Sequence, residues 1–324
     1  MDFSLGSLQE SKELKDSYDL IILGGGPAGL TAAIYARRSG LSTLVVEPLI
    51  TGGNIASTEK VDNWPGDTDG VSGEELANRF TKHAERFGTE FLYDDITEVN
   101  LSGNEKLIKS GNKSIKSKAV IIATGTHPRS INVPGEKEYK GHGISYCATC
   151  DAPFFKGKDI VVIGAGNSAI EESLYLLNFV KSITFIQDLP YITAEKILAD
   201  EIQKKENVKF YFEHLVKEFK GDGNKLTSVI FEDRKTGETK EIKTEGCFVY
   251  IGLIPNTNLY KGQIELDKYG YVIANEDTIT STSGVFAAGD VRVKNLRQIV
   301  TAVSDGAVAA YEAKKYIDKL NGGN

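Results

Sequence analysis

An α/β fold is predicted by a pattern that occurs twice. A short apolar run leads into a glycine-rich turn, then a helical stretch, then a second apolar run. The first copy covers Asp19 to Glu47 and the second Asp159 to Ile186. Gly24 and Gly164 stand 140 residues apart, too far for a solenoid repeat, so the two copies predict two separate folds. A third observation lies between them: Cys147-Ala148-Thr149-Cys150, two of the three cysteines at C-x-x-C spacing.

In the first copy, Asp19-Leu20-Ile21-Ile22-Leu23 reads as a strand and Gly24-Gly25-Gly26-Pro27-Ala28-Gly29 as its turn. Leu30 to Ser39 reads as a helix and Leu41 to Val46 as a second strand ending at Glu47. Gly24 permits the tight turn, Gly26 lets backbone approach a pyrophosphate, and Gly29 lets helix pack against strand. The helix N-terminus faces the phosphates. Glu47, 23 residues after Gly24, is placed to accept hydrogen bonds from a ribose diol. A lone G-x-G-x-x-G says little; one flanked by strands, with an acid at this distance, specifies a Rossmann-like dinucleotide fold.

Polar, alternating segments from about Phe91 to Lys116 predict a β-meander added to this fold, before the buried run Lys118 to Gly125. Gly143 to Asp151 carries the cysteine pair. The second copy follows: strand Asp159–Ile163, turn Gly164-Ala165-Gly166-Asn167-Ser168-Ala169, helix Ile170 to Phe179, strand Ser182 to Ile186. A Rossmann-shaped fold that holds no nucleotide would keep the same glycines for packing. A second polar β segment spans Val208 to Ile242 and leads to a buried strand and turn over Gly246 to Gly252. Ile254-Pro255-Asn256 reads as a linker. Gly284 to Asp290 is a last apolar strand stopping at Gly-Asp, and Val300 to Leu320 a closing helix.

Composition bounds the function. The hydrophobic fraction of 40% and the charged fraction of 26% are those of a soluble globular chain, and 324 residues suffice for two cores. A net charge of −7 gives no reason to expect a nucleic-acid partner. No run is long enough to span a membrane. Met1 to Asp19 is polar, without a signal peptide's apolar core, and reads as an extension that covers a dimer surface or caps the first strand. Three cysteines with one close pair fit a reducing, cytoplasmic setting.

Two thiols three residues apart close a small disulfide ring, which an incoming thiolate or electrons from one side reopen. Asp151 follows directly and brings a proton donor to the sulfur that needs one. Half a zinc site and two inert core thiols are the competing readings. Zinc needs two further ligands, and Cys247 and the four scattered histidines supply no cluster, so no metal site is expected. Cys247 reads as a small core residue. His83, His127, His142 and His214 are isolated; Tyr146 reads as packing; Lys137, Glu138 and Lys140 read as a solvated run, with docking beside the cysteines as the alternative.

After the first 17 residues the chain resembles the low-molecular-weight thioredoxin reductases. The residues that carry the resemblance are Gly24–Gly29 with Glu47, Gly52-Gly53-Asn54, Asn63-Trp64-Pro65-Gly66, Ala123-Thr124-Gly125, Cys147–Asp151, Gly164–Ala169, Gly289-Asp290 and Arg297-Gln298. The cysteine pair lies between Ala-Thr-Gly and the second fingerprint, unlike the larger glutathione-reductase type, where it follows the first fingerprint closely.

The resemblance implies an FAD domain split into 1–128 and 255–324, with a pyridine-nucleotide-type domain, 129–254, inserted between the halves, and a homodimer. It implies FAD on Gly24, Gly26, Pro27, Ala28 and Gly29, with Glu47 on the adenosine ribose. Gly53, Asn54 (where the family often has Gln), Asn63, Thr124, Gly125, Gly289 and Ile299 would join them. Asp290 would hold the ribityl chain, and Arg297 and Gln298 would approach the isoalloxazine; the competing reading of these two is an ordinary helix start. It further implies that electrons pass from reduced flavin to the Cys147–Cys150 disulfide, with Cys150 facing the ring, Cys147 attacking thioredoxin and Asp151 shuttling the proton. The family alternates the two contacts by rotating the inserted domain.

The chain departs from the family where NADPH binds. Typical members carry His-Arg-Arg and a further Arg after the second strand of the inserted domain. Here those positions read Gln187-Asp188-Leu189 and Thr193, and Ser182 to Glu195 contains no Lys or Arg. A 2′-phosphate needs cationic partners. Asp188 would repel it by roughly 1–4 kcal/mol at about 4 Å, depending on the effective dielectric. NADPH is therefore disfavoured as donor. NADH remains, with Gln187 or Asp188 on its ribose and Gly164, Gly166, Asn167 and Ser168 at its pyrophosphate. Ferredoxin or another carrier remains too. Relatives of the same build oxidise small dithiols with oxygen, and a non-catalytic redox-sensing flavoprotein is a further alternative that the acid beside the cysteines disfavours.

Overall fold

The computed structural model describes residues 14–58, 61 and 63–322. The N-terminal extension lies mostly outside the described residues. The chain divides into two compact units. One comprises the chain up to Ile55, Ala77–Gly125 and everything from Thr257 on; the other comprises Ala56–Leu76 and Thr126–Asn256.

The first unit is built on a sheet whose central strand is Ser17–Leu23. Leu20, Ile21, Ile22 and Leu23 are all fully buried, so both faces of this strand are covered, as its unbroken apolar run requires. Thr43–Val46 pairs parallel to one side of it, followed by Glu90–Leu92. Lys113–Ile122 pairs parallel to the other side. The first half of that long strand is polar and alternating, and it pairs antiparallel with Lys106–Ser110, which pairs with Ile96–Asn100: this is the expected meander. The second half is apolar and pairs parallel with Val285–Ala287. One strand thus serves both the meander and the parallel core.

Helices Pro27–Arg38 and Ile299–Leu320 pack on one face through Leu30, Ala33, Ala309 and Ala313. Their approach depends on Gly306, where an added Cβ would sit 2.2 Å from the Ala28 carbonyl oxygen. The opposite face is covered by Tyr260, Ile264, Val272 and Val291. Each fully buried Leu or Ile contributes roughly 1.5–3 kcal/mol.

The second unit repeats the plan. Val208–Phe212, Ser182–Gln187, Asp159–Ile163, Cys247–Val249 and Ile144–Ser145 form an all-parallel sheet in that order. His214–Gly221, Leu226–Asp233 and Thr239–Lys243 form an antiparallel meander. Two Rossmann-like folds, each with a meander, are therefore present. Among the described residues no helix is long and apolar enough to cross a membrane.

Three local expectations are corrected. Both fingerprint helices start one turn early, at Pro27 and Asn167, with Gly26 and Gly166 as N-caps. Proline fits the first helical position because its missing N–H has no partner there. Val208–Phe212 is not part of the meander but a parallel strand of the core sheet. Ile254-Pro255-Asn256 is not a free linker: Leu253–Pro255 pairs antiparallel with Thr126–Pro128 in a two-stranded ribbon. The Arg129 N–H donates to the Gly252 oxygen, so in this register the Pro255–Thr126 pair falls at a non-hydrogen-bonded position, where proline forfeits no ladder bond.

Candidate redox site and dinucleotide cradle

In the second unit Cys147 and Cys150 are joined as a disulfide, with Cα atoms 5.4 Å apart. The strand Ile144–Ser145 delivers the chain to this point, and a single helical turn, Ala148–Asp151, follows with Cys147 as its N-cap. Ala148 and Ala152 are fully buried, in one apolar cluster with Ala169 and Ile170 of the fingerprint helix. Both cysteines are half-buried. The turn's exposed amides are met from outside: the Cys147 N–H donates to Ser145 Oγ at 3.1 Å and the Ala148 N–H to Glu172 Oε2 at 3.2 Å. Ser145 Oγ in turn donates to Asp151 Oδ2 at 2.6 Å. Burial pushes the Tyr250 hydroxyl well above its ordinary range, with the Glu172 and Asp151 charges adding to the shift.

Tyr146 does more than pack. Its hydroxyl donates to Glu136 Oε1 at 2.9 Å, and burial and that carboxylate push its pKa up. Glu136, 3% exposed, also accepts the Ile131 and Asn132 amides at 2.9 and 2.7 Å, which fixes the chain beside the redox turn. Lys137, Glu138 and Lys140 are exposed, Lys140 lying over the Tyr146 ring. His83, His127 and His142 are exposed; His214 is buried, with Nδ1 2.6 Å from the Phe212 carbonyl oxygen.

Cys247 is fully buried, and desolvation, with Glu136 second, drives its thiol far above the ordinary value. In the native protein it is therefore expected to resist alkylation at pH 8 while reacting fully in denaturant; labelling by mass spectrometry checks this, and fast native labelling would contradict it.

The first unit brings together most of the residues expected to hold FAD. Gly24 adopts φ +108°, and a Cβ there would lie 2.4 Å from the Ala123 carbonyl oxygen; one at Gly29 would lie 1.9 Å from that of Gly24. Over Gly26 the nearest atom to an added Cβ is Gly53 Cα at 3.9 Å, leaving a cradle walled by backbone. The helix behind it has no side-chain cap, so its first N–H groups are offered to a phosphate. Pro27 and Ala28 open this helix. Glu47 accepts the Gly25 amide at 2.7 Å and that of Leu49 at 3.3 Å, which fixes its carboxylate at the strand's end. Thr124 hydrogen-bonds the buried Tyr260, and Gly125 sits at φ +63°. Asn54 is exposed in the turn after Gly53; Asn63 falls in the segment belonging to the other unit.

At the same carboxyl end of the sheet Gly289 and Asp290 follow the strand Val285–Ala287, and a Cβ added at Gly289 would lie 2.9 Å from Ala28 Cβ. Asp290 Oδ1 is buried with no hydrogen-bond partner among the described residues. Burial pushes its carboxyl above the ordinary value, against the pull of Lys294 and Arg297. A buried acceptor without a donor fits a ligand hydroxyl. The turn is held from below by Asp305, whose carboxylate accepts the Gly289 N–H at 2.9 Å, Arg292 at 3.1 Å and Lys294 at 2.7 Å. Arg297 lies over the Tyr271 ring, 4.3 Å from its centroid. Gln298 caps the closing helix, its N–H donating to Thr301 Oγ1, and Ile299 is the first helical residue. The backbone cradle and the orphaned acceptor together fit FAD.

The second fingerprint turns in the same way: Gly164 adopts φ +98°, and a Cβ there would meet the Tyr250 carbonyl oxygen at 2.3 Å. The loop after Ser182–Gln187 folds onto the turn: the Thr193 and Ala194 amides donate to the Ala165 oxygen, and the Glu195 amide to Asn167 Oδ1 at 2.7 Å. Ser168 is exposed next to it. Gln187 is buried and donates to the Tyr191 oxygen, whereas Asp188 is exposed. One cation reaches this loop from elsewhere: Arg234 Nη1 donates to the Asp188 carbonyl at 3.0 Å.

Sequence reasoning missed Ser145, Glu136, Arg234 and Asp305. Asp305 left a trace, an acid at helical spacing on the buried Ala302, Gly306, Ala309 face. The others act on partners that no local pattern announces.

Residues 18–306 match the model of the family described as pyridine nucleotide-disulphide oxidoreductase. The thioredoxin reductase of Bacillus subtilis is 45% identical over 304 residues, 94% of this chain and 96% of that protein. That of Peptoclostridium litorale is 42% identical over 313 residues, 95% and 99% of the two chains. The crystal structure of the thioredoxin reductase from Streptococcus pyogenes superposes with a TM-score of 0.86 at 40% identity, covering 94% of this chain and 100% of that one. Matched by such relatives over nearly its whole length, the chain belongs to the FAD-dependent pyridine nucleotide-disulphide oxidoreductases and, within them, to the low-molecular-weight thioredoxin reductase family.

Proposed function

We propose that this protein reduces the disulfide of a thioredoxin or thioredoxin-like partner through Cys147 and Cys150, as a homodimer, with a donor other than NADPH. The observation that carries the reading is the half-buried disulfide with a hydroxyl-held carboxylate, Asp151, at the end of the same helical turn. The first unit would hold FAD: the Gly24, Gly26, Pro27, Ala28 and Gly29 backbone at the pyrophosphate, Glu47 at the ribose, Asp290 at the ribityl chain. Gly53, Asn54, Asn63, Thr124, Gly125, Gly289, Arg297, Gln298 and Ile299 supply the remaining contacts. When bound, FAD supplies reducing equivalents in pairs.

Two electrons and two protons convert the Cys147–Cys150 bond to two thiols. Asp151 hands a proton to Cys150, its neighbour in the chain. Cys147 gives up its proton and, as thiolate, attacks the partner's disulfide to form a mixed disulfide, and the partner's leaving sulfur takes up one proton. Asp151 takes the proton back from Cys150, which attacks Cys147 as thiolate; the second partner sulfur leaves and takes up the other proton, so the partner is released as a dithiol and the Cys147–Cys150 bond re-forms. Electrons and protons balance over the cycle.

Two features support a donor other than NADPH: the loop expected to meet a 2′-phosphate carries the exposed Asp188, and Gln187 is turned inward. NADH and a ferredoxin-type carrier remain as donors. In an anaerobic titration followed by flavin absorbance, NADPH is expected to bleach the flavin at least about 100-fold more slowly than the best donor, an effect of about 2.7 kcal/mol. Fast bleaching by NADPH would overturn the donor assignment and leave the disulfide chemistry standing.

A further inference from the structure

We propose that Ser145 is a positioning residue for the proton carried by Asp151, a role that rests on the thiol–disulfide reading above. The side chains of a strand alternate between faces. Ile144 enters the apolar cluster under the sheet, so Ser145, the last residue of the strand, points the other way, toward the redox turn. It is 4% exposed. The Cys147 N–H occupies one lone pair at 3.1 Å, which leaves the hydroxyl proton to be donated. Two acceptors are in reach: Asp151 Oδ2 at 2.6 Å and the Cys147 carbonyl oxygen at 3.3 Å. The shorter contact is that of a hydroxyl donating to a carboxylate.

The consequence is a continuous hydrogen-bond chain. Cys147 N–H, Ser145 hydroxyl and Asp151 carboxylate form a chain that begins at one redox cysteine and ends at the residue after the other. The hydroxyl orients the carboxylate and favours its ionised form, because a donated hydrogen bond is worth most to the charged acceptor. Several described groups lie around that carboxylate. The strand contributes Ser145, the fingerprint helix contributes Glu172, the chain after Cys247–Val249 contributes the buried Tyr250 hydroxyl, and the turn itself contributes the two cysteines. The segment Ala152–Phe155 adds no ionisable side chain. Ser145 is the neutral donor in this set that an alanine removes with little loss of volume.

Removing a donor from a carboxylate raises its pKa. In Ser145→Ala the limb of the pH profile that belongs to Asp151 is therefore expected to move up by about one unit. Ser145→Thr keeps the hydroxyl on a residue suited to a strand and is expected to return the limb to its wild-type place. The profile is measured in two ways on the full-length FAD-loaded protein: iodoacetamide modification of the reduced dithiol against pH, and 13C NMR titration of the Asp151 carboxyl. Asp151→Asn identifies the limb. A shift in Ser145→Ala restored by Ser145→Thr supports the proposal. A uniform loss of rate or stability with the limb unmoved would overturn it and reduce Ser145 to a structural cap. An Asp151→Asn profile superimposable on wild type would overturn the proton role of Asp151 and this proposal with it.

Discussion

Cys150→Ser is expected to reduce turnover with thioredoxin to the uncatalysed background while the protein keeps its full complement of FAD. The two halves of that outcome follow from the separation of the parts. The flavin cradle is built from the first unit's glycine turn, Glu47 and the Gly289-Asp290 turn, all distant from the cysteines in sequence. The disulfide is in the second unit, in a turn whose amides are already satisfied by Ser145 and Glu172. A serine hydroxyl fits the half-buried site but cannot close a disulfide or resolve a mixed one. Cys147 alone could still attack a partner once, so the variant should stall as a covalent adduct. Insulin-coupled turnover and flavin absorbance read the two halves independently. Retained turnover would remove the redox assignment of the pair, and lost flavin would mean that the two units are not separable as described.

Gly29→Ala carries the second large effect. The new methyl would lie 1.9 Å from the Gly24 carbonyl oxygen and 3.3 Å from Ile22 Cγ2. An oxygen held by the turn itself cannot rotate away as a side-chain tip would. Either the helix Pro27–Arg38 lifts from the strand or the turn opens, and either displaces the N–H groups that face the pyrophosphate. Overpacking of this kind costs about 3 kcal/mol or more. The variant is expected to be purified largely without flavin and to melt several degrees lower. The second fingerprint offers an internal control, since its third position is already an alanine, the fully buried Ala169. Full FAD occupancy and an unchanged Tm in Gly29→Ala would refute the role given to the glycine.

Much of this architecture was legible because parallel strands buried on both faces must be continuous apolar runs, and Asp19–Leu23 and Asp159–Ile163 are such runs. The glycine turns were legible for the same kind of reason: only a residue without Cβ fits against Ala123 and Gly24. The helix starts were misplaced by a turn because Pro27 and Asn167 belong to the fingerprint and also to the helix, and the fingerprint claimed them first. The alternation of Val208–Phe212 suits a meander equally well, because a parallel edge strand alternates as an antiparallel one does. The ribbon at Leu253–Pro255 was lost to its proline, whose usual meaning is a break.

The site was legible in its chemistry and hidden in its support. Cys147, Cys150 and Asp151 announce themselves by adjacency. Ser145 is six residues from the carboxylate it holds, Glu172 is 24 residues from the amide it caps, and Arg234 reaches a loop 46 residues earlier in the chain. Distances of that kind are set by the sheet order, which brings Cys247–Val249 between Asp159–Ile163 and Ile144–Ser145. The reading of the 182–195 segment as free of cations was correct for the segment, and the fold then added Arg234 beside it.

The most direct test uses the FAD-loaded protein reduced anaerobically with dithionite, freed of excess reductant and mixed with oxidised thioredoxin in a rapid-quench apparatus. Alkylation of free thiols and mass analysis then follow the cysteines of both proteins. The account predicts that thioredoxin gains two thiols as Cys147 and Cys150 lose theirs, with a transient species in which Cys147 is bonded to thioredoxin. Thioredoxin that stays oxidised while Cys147 and Cys150 remain alkylatable thiols would contradict it.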